Sequence, residues 1–150
     1  MSNSGLIGIL HPVVITGDLA RALKFYRDIL GFVPRPVTTH DPERLRRLGG
    51  PAEAVAQAVI LHAPDGSELE IASFTHPAGA PRTSAGWSDA GIRSITFKVG
   101  DLAATVARLA AAGHPMAGEI VPFIVEGSEV LAAYVAGPDG VVLTLIEQRS

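Results

Sequence analysis

Two acidic side chains two residues apart, Glu68 and Glu70, and an imidazole far upstream, His11, are the groups in this chain best suited to moving a proton. Imidazoles and carboxylates serve as general acids and bases, and both also ligate divalent metals. Glu68 and Glu70 lie in the run SELEI, where polar and apolar residues alternate, so both carboxylates share one face of a strand. His11 stands in another alternating run, with Val13 and Ile15 on its own face and Leu10, Pro12 and Val14 on the other. A third run sets Ser94, Thr96 and Lys98 opposite Ile95, Phe97 and Val99, and Thr144 lies in a fourth, VVLTL. Hydroxyls and an ammonium in such places can donate hydrogen bonds to a carbonyl, or to the oxyanion that forms from it.

The elements that must position these groups occur twice. HPVVITGDLARALKFYRDILG at 11–31 is answered by SITFKVGDLAATVARLAAAG at 94–113: a short apolar strand, then Gly-Asp-Leu-Ala, then an amphipathic helix that stops at glycine. His11 precedes Asp18 by seven residues and Ser94 precedes Asp101 by seven. Both aspartates are expected to cap their helices, and Gly31 and Gly113 to end them. Pro64-Asp65-Gly66 and Pro138-Asp139-Gly140 each supply a tight turn before a last strand, with Glu70 and Thr144 both four residues beyond the glycine. Further strands are expected at 32–38, 55–63 and 67–74, and at 119–126, 129–137 and 141–147. Each half is then β-α-β-β-β, with modules at about 5–75 and 90–148. A repeat of this size cannot bury its own sheet face, so the two halves are expected to pack as one domain with a site where they meet. Two insertions break the symmetry: DPERLRRLGG at 41–50, a short helical excursion, and the Pro/Gly-rich crossover at 76–89, whose Trp87 is a candidate either to cover a ligand or to pack against a partner subunit.

Composition narrows the function. The chain has 150 residues, 47% hydrophobic and 18% charged, with a formal net charge of −3 and no cysteine. Scattered Lys and Arg give no footprint for nucleic acid, and no thiolate is available as nucleophile or ligand. No segment approaches the length of a membrane span, and the opening MSNSGLIGIL has no basic region ahead of a long apolar stretch, so the cytoplasm is the expected location. Of the remaining histidines, His62 is a candidate substitute donor to the site, with a purely structural role as the alternative, while His40, His76 and His114 are expected to be solvated. Glu147 falls on the opposite strand face from Thr144 and is expected at the surface. Arg93 adjoins Ser94 but points the other way. Aromatic residues, 5% of the chain, are expected mostly on the helix side, leaving the polar face aliphatic.

His11 with Asp18-Leu19-Ala20, Phe25-Tyr26 with Leu30-Gly31-Phe32, Asp65-Gly66 with Glu68-Leu69-Glu70, Asp101-Leu102 with Ala112-Gly113, and Asp139-Gly140 occur in an order that resembles the vicinal oxygen chelate superfamily. That superfamily contains glyoxalase I, methylmalonyl-CoA epimerase, extradiol dioxygenases, fosfomycin-inactivating enzymes and bleomycin-resistance proteins. The resemblance covers nearly the whole chain and implies an α+β fold, with two βαβββ modules forming an incomplete eight-stranded barrel around a small-molecule cavity. In its metal-dependent members four ligands face that cavity, and the corresponding positions here are His11, Glu70, Ser94 and Thr144. The first two keep an imidazole and a carboxylate; the second two offer only hydroxyls, which are poor donors to a transition ion.

The resemblance therefore implies no metal or a weakly held divalent one at His11 and Glu70, and no nucleotide cofactor. It implies lyase or isomerase chemistry with Glu70 and His11 catalytic, and with Glu68, Ser94, Thr96, Lys98, Thr144 and Trp87 binding a small molecule. A metal-free drug- or metabolite-binding protein is the alternative, and a metal-dependent lyase, epimerase or dioxygenase a second. A homodimer that covers exposed sheet edges is expected.

Overall fold

Asp18 and Asp101 start their helices as the repeat requires. The Asp18 carboxylate accepts from the Arg21 N–H at 2.9 Å and Asp101 from the Ala104 N–H at 2.8 Å, each satisfying a donor that a helix start leaves open. The computed structural model describes residues 5–80, 88–92 and 94–149, and the chain divides at residue 80 into two compact units.

In the first unit, β1 (Val13–Ile15) leads into α1 (Leu19–Lys24), which widens into a π-helical turn over Phe25–Ile29. Gly31 then reverses the chain at φ 82°, a conformation that side chains with a Cβ rarely adopt. β2 (Val33–Pro34), β3 (Thr38–His40), α2 (Pro42–Arg47), β4 (Val55–His62) and β5 (Glu68–His76) follow. The sheet order is β1-β5-β4-β2, with β3 also on β4. β1 runs parallel to β5 and sets Val13 beside Glu70, while β4 runs antiparallel to β5 and sets Ile60 beside Glu70 and His62 beside Glu68. Strand alternation does the rest. Val59, Leu61, Leu69 and Ile71 are buried together with Ala22, Phe25 and Tyr26 of the helix, whereas Val13 and Ile15 stand on the open face with the carboxylates.

The single strand expected at 32–38 is in fact two. Pro34 and Pro36 have no N–H to give the ladder, so pairing stops after Pro34, resumes at Thr38, and is bridged only by the Arg35 N–H, which donates to the Ile60 carbonyl at 2.8 Å. The eight strands expected thereby become nine among the described residues, in sheets of five and four, and neither sheet closes into a barrel. The excursion at 41–50 does form a helix, capped by Asp41.

In the second unit β6 (Ser94–Lys98), α3 (Leu102–Ala111), β7 (Val121–Val125), β8 (Ser128–Ala136) and β9 (Val142–Gln148) form a sheet of order β6-β9-β8-β7. Here too the first strand runs parallel to the last, with Thr96 beside Thr144. α3 lays Leu102, Val106 and Leu109 on β8 and β9, over Val135, Leu143 and Leu145, all buried. Glu147, expected at the surface, is half-buried. It shares the helix-side face of β9 with Leu143 and Leu145, and its Oε2 accepts from the Leu102 N–H at 2.6 Å, at the start of α3.

Losing the Asp101 cap is expected to cost about 1 kcal/mol. Opening a cavity at fully buried Leu143 is expected to cost about 2–5 kcal/mol. Urea unfolding of Asp101→Ala and Leu143→Ala, followed by circular dichroism, checks both.

Candidate active site

His11 sits two residues ahead of β1, where the chain is already held to β5 by the Glu70 N–H donating to the Pro12 carbonyl at 3.0 Å. That backbone bond brings the imidazole onto the face that carries Glu68 and Glu70. His11 Nε2 lies 3.0 Å from Glu70 Oε2, and Nδ1 lies 3.4 Å from Glu68 Oε2. All three side chains are half-buried, between 14% and 23% exposed. They are shielded enough to hold their geometry and open enough to meet a ligand.

His62 joins the group, as the sequence allowed. Its Nε2 lies 3.5 Å from Glu68 Oε1. The cluster also contains a residue that the sequence did not single out. Arg35 donates from Nε to His62 Nε2 at 2.6 Å and brings its terminal nitrogen within 3.9 Å of Glu68 Oε1. The only signal for Arg35 is its place between two prolines, and the register that sets Val33 opposite His62 and Arg35 two residues further on, beside Ile60, cannot be read before the strand is seen to break.

Ser94, Thr96, Lys98 and Thr144 fall on one face of the second unit's sheet, as alternation predicts, with Thr96 and Lys98 exposed and Thr144 buried. Thr144 Oγ1 donates to Ser94 Oγ at 2.9 Å. Cross-strand pairing places Tyr134 beside Thr144 and Phe123 beside Val130 on that same face, each 40% exposed. The polar face is therefore not aliphatic as expected. Two of the chain's aromatic rings leave the helix side because the alternation of β7 and β8 carries them there.

Among the other candidates, His40 is half-buried on β3 and His76 is exposed. His114 is not simply solvated; its Nδ1 donates to the Ala136 carbonyl at 3.0 Å. Trp87 and Arg93 lie outside the described residues.

The metal set can be tested within each unit. His11 Nε2 and Glu70 Oε2 are two strong donors close together, but both donors offered by the second unit are neutral hydroxyls already bonded to each other. Among the described residues no three His, Asp or Glu side chains converge as the ligands of an ion would. Structural and catalytic transition-metal sites ordinarily use three or four nitrogen, sulfur or carboxylate ligands, and the described residues of neither unit make up such a set on their own.

A sheet with first and last strands parallel and a capped helix on one face, repeated once, with an imidazole–carboxylate cluster on the open face of the first copy, defines a class of duplicated βαβββ proteins. The chain belongs to the Glyoxalase/Bleomycin resistance protein/Dioxygenase superfamily, whose family model matches residues 8–145. It is 30% identical over 142 residues to the lactoylglutathione lyase of Haemophilus influenzae, covering 95% of this chain and 93% of that one. A glyoxalase family protein from Bacillus cereus has the same fold, with a TM-score of 0.87 at 23% identity over 100% of this chain and 99% of that one. The trypanothione-dependent glyoxalase I of Leishmania major shares the fold more loosely, with a TM-score of 0.62 at 24% identity over 95% of this chain and 87% of that one.

Tag-free protein loaded with zinc or nickel and then dialysed is expected to keep well under one ion per chain by elemental analysis.

Proposed function

We propose that this chain is a small-molecule enzyme of the lyase or isomerase type, which removes a proton from a carbon next to a carbonyl. The observation that carries the reading is the contact between His11 and Glu70 on the open face of the first sheet, 3.0 Å apart and half-buried. Neither side chain contributes to the apolar core on the other face, and a carboxylate oriented by an imidazole suits a general base. The name of the Haemophilus influenzae relative supports lyase chemistry. Glu70 takes the proton, the electron pair moves onto the carbonyl oxygen, and the proton returns to the neighbouring carbon or leaves with the departing group. No metal enters this scheme. The whole chain is read as a single glyoxalase-like domain acting in the cytoplasm on a small molecule, with neither nucleic acid nor membrane as partner.

A second reading, a metal-free small-molecule binding or resistance protein, is favoured by one feature. Phe123 and Tyr134 share a face with Ser94, Thr96, Lys98 and Thr144, so the second unit offers aromatic surface beside hydrogen-bond donors. Flat ligands stack on such rings. This reading needs no catalysis.

Glu70→Gln keeps volume and one acceptor while deleting the base, so turnover is expected to fall about a hundredfold or more, with melting temperature little changed. Turnover within a few-fold of the parent, once a substrate is identified from a panel of small carbonyl compounds, would favour the binding reading.

A homodimer is part of the proposal. Leu6, Ile7, Ile9 and Leu10 are each at least 76% exposed, beside the exposed Val13 and Ile15 of edge strand β1. Apolar runs left open at a sheet edge commonly mark a subunit contact. Light scattering is expected to return twice the 15.6 kDa of one chain, and Ile7→Glu/Ile9→Glu to shift the mass toward a single chain. A single-chain mass for the parent across the micromolar range would overturn the dimer.

A further inference from the structure

The sheet of the second unit separates its charges by face. Its four strands carry two carboxylates, Glu129 and Glu147, and alternation puts both on the helix side with Leu131, Leu143 and Leu145. Both are engaged there: Glu129 pairs with Arg149 at 3.0 Å, and Glu147 accepts from the Leu102 N–H at 2.6 Å. On the open face the same strands place one charged side chain, Lys98 at the end of β6, and it is exposed. The open face of the first unit has the opposite balance, with the carboxylates of Glu68 and Glu70 against the single guanidinium of Arg35. An anion is therefore opposed on the first face and attracted on the second.

Strand pairing gives Lys98 a floor and a facing ring. Thr96, Thr144 and Tyr134 stand side by side across β6, β9 and β8, and Lys98, Ile146 and Ala132 form the next row. Neighbouring strands lie about 4.8 Å apart and same-face residues about 6.7 Å apart along a strand, so the Cα atoms of Lys98 and Tyr134 are about 12 Å apart, diagonally across Thr144 and Ile146. Ala132 has no atom beyond Cβ, which keeps the floor low beside the Tyr134 ring, itself 40% exposed. The Thr96 hydroxyl is exposed next to Lys98 on its own strand. A flat six-membered ring bearing one carboxylate suits this spacing. Its ring lies against Tyr134 over Ala132 and Ile146, and its carboxylate lies between the Lys98 ammonium and the Thr96 hydroxyl.

We infer that the open face of the second unit binds a small aromatic carboxylate, with Lys98 holding the charged end and Tyr134 the ring. This rests on the reading of that face as a small-molecule binding surface and adds the class of ligand; it stands apart from the assignment of Glu70 as a base. Binding of this kind breaks no bond and moves no proton.

Benzoate is the probe. Benzamide is its flat, uncharged counterpart, and cyclohexanecarboxylate its non-planar counterpart of the same charge. Each is titrated into the nitrogen-15-labelled protein and followed by assigned amide correlation spectra. Benzoate is expected to shift the amides of Thr96, Lys98, Tyr134 and Thr144, with a Kd on the order of a millimolar for so small a ligand. Benzamide is expected to shift the same amides and to bind about fivefold more weakly, the scale of an exposed ion pair. Cyclohexanecarboxylate is expected to bind about threefold more weakly than benzoate, the scale of a ring contact. Added salt is expected to narrow the gap between benzoate and benzamide. Lys98→Gln is expected to abolish the preference for benzoate over benzamide while benzamide still binds. Tyr134→Leu is expected to abolish the preference for benzoate over cyclohexanecarboxylate, and Tyr134→Phe to keep it. Equal affinity of the parent for benzoate and benzamide, an unchanged preference in Lys98→Gln, or benzoate shifts confined to the first unit would each overturn the inference, and the first and last of these need no variant to fold. Binding of both flat probes to the second unit without a charge preference overturns the inference and leaves the binding reading standing, whereas no shift of second-unit amides by any of the three probes overturns both.

Discussion

Each unit pairs its first strand parallel to its last, and everything chemical in the first unit depends on that pairing. Antiparallel strands can be joined by a two-residue turn, but a parallel pair needs a long crossover. Here the crossover contains α1, the broken strand, α2 and β4 before β5 returns beside β1. His11 and Glu70 are 59 residues apart in sequence and 3.0 Å apart in space because of it. The bond from the Glu70 N–H to the Pro12 carbonyl ties the backbone of the two sites together, so the imidazole has little freedom to drift from the carboxylates. Contacts of such long sequence separation pay their loop-closure entropy before they return any stabilisation. The cluster is thus a product of the finished sheet and has no existence in a partly formed one.

Much of this was legible in advance because it rests on short-range rules. Alternation along SELEI and along residues 11–15 placed Glu68, Glu70 and His11 on one face, and the matched Asp18 and Asp101 caps located both helices. What could not be read belongs to register and to side-chain reach. Arg35 enters the cluster only because two prolines interrupt the ladder and Val33 comes to lie opposite His62. Tyr134 and Phe123 reach the polar face because β8 pairs in one register with β9 and β7; slipped by a single residue, both would lie under α3. Glu147 was assigned its correct face but the wrong surroundings, since the N–H that it meets belongs to a helix 45 residues earlier.

The two units use a common scaffold for different chemistry. In the first, the open face concentrates charge: two carboxylates, two imidazoles and a guanidinium, each close to a partner of opposite or complementary type. In the second, the equivalent strand positions carry hydroxyls that satisfy each other, with aromatic rings nearby. Charged groups at partial burial are costly unless paired, whereas a hydroxyl pair at the same depth is nearly self-sufficient. The two copies of the fold therefore differ in kind, with mutually paired ionisable groups on one open face and self-satisfied hydroxyls on the other.

The carboxylate that the second unit does keep on its last strand serves its architecture. Glu147 accepts from the N–H of Leu102, the first residue of α3, while Asp101 satisfies the N–H of Ala104. Amides in the opening turn of a helix normally face water and trade their hydrogens with solvent quickly, because nothing inside the helix holds them. This one is held by a side chain from the strand beneath, so its hydrogen can exchange only when helix and sheet separate. The opening turn of α3, elsewhere the first part of a helix to fray, is here coupled to the cooperative unfolding of the unit that carries it.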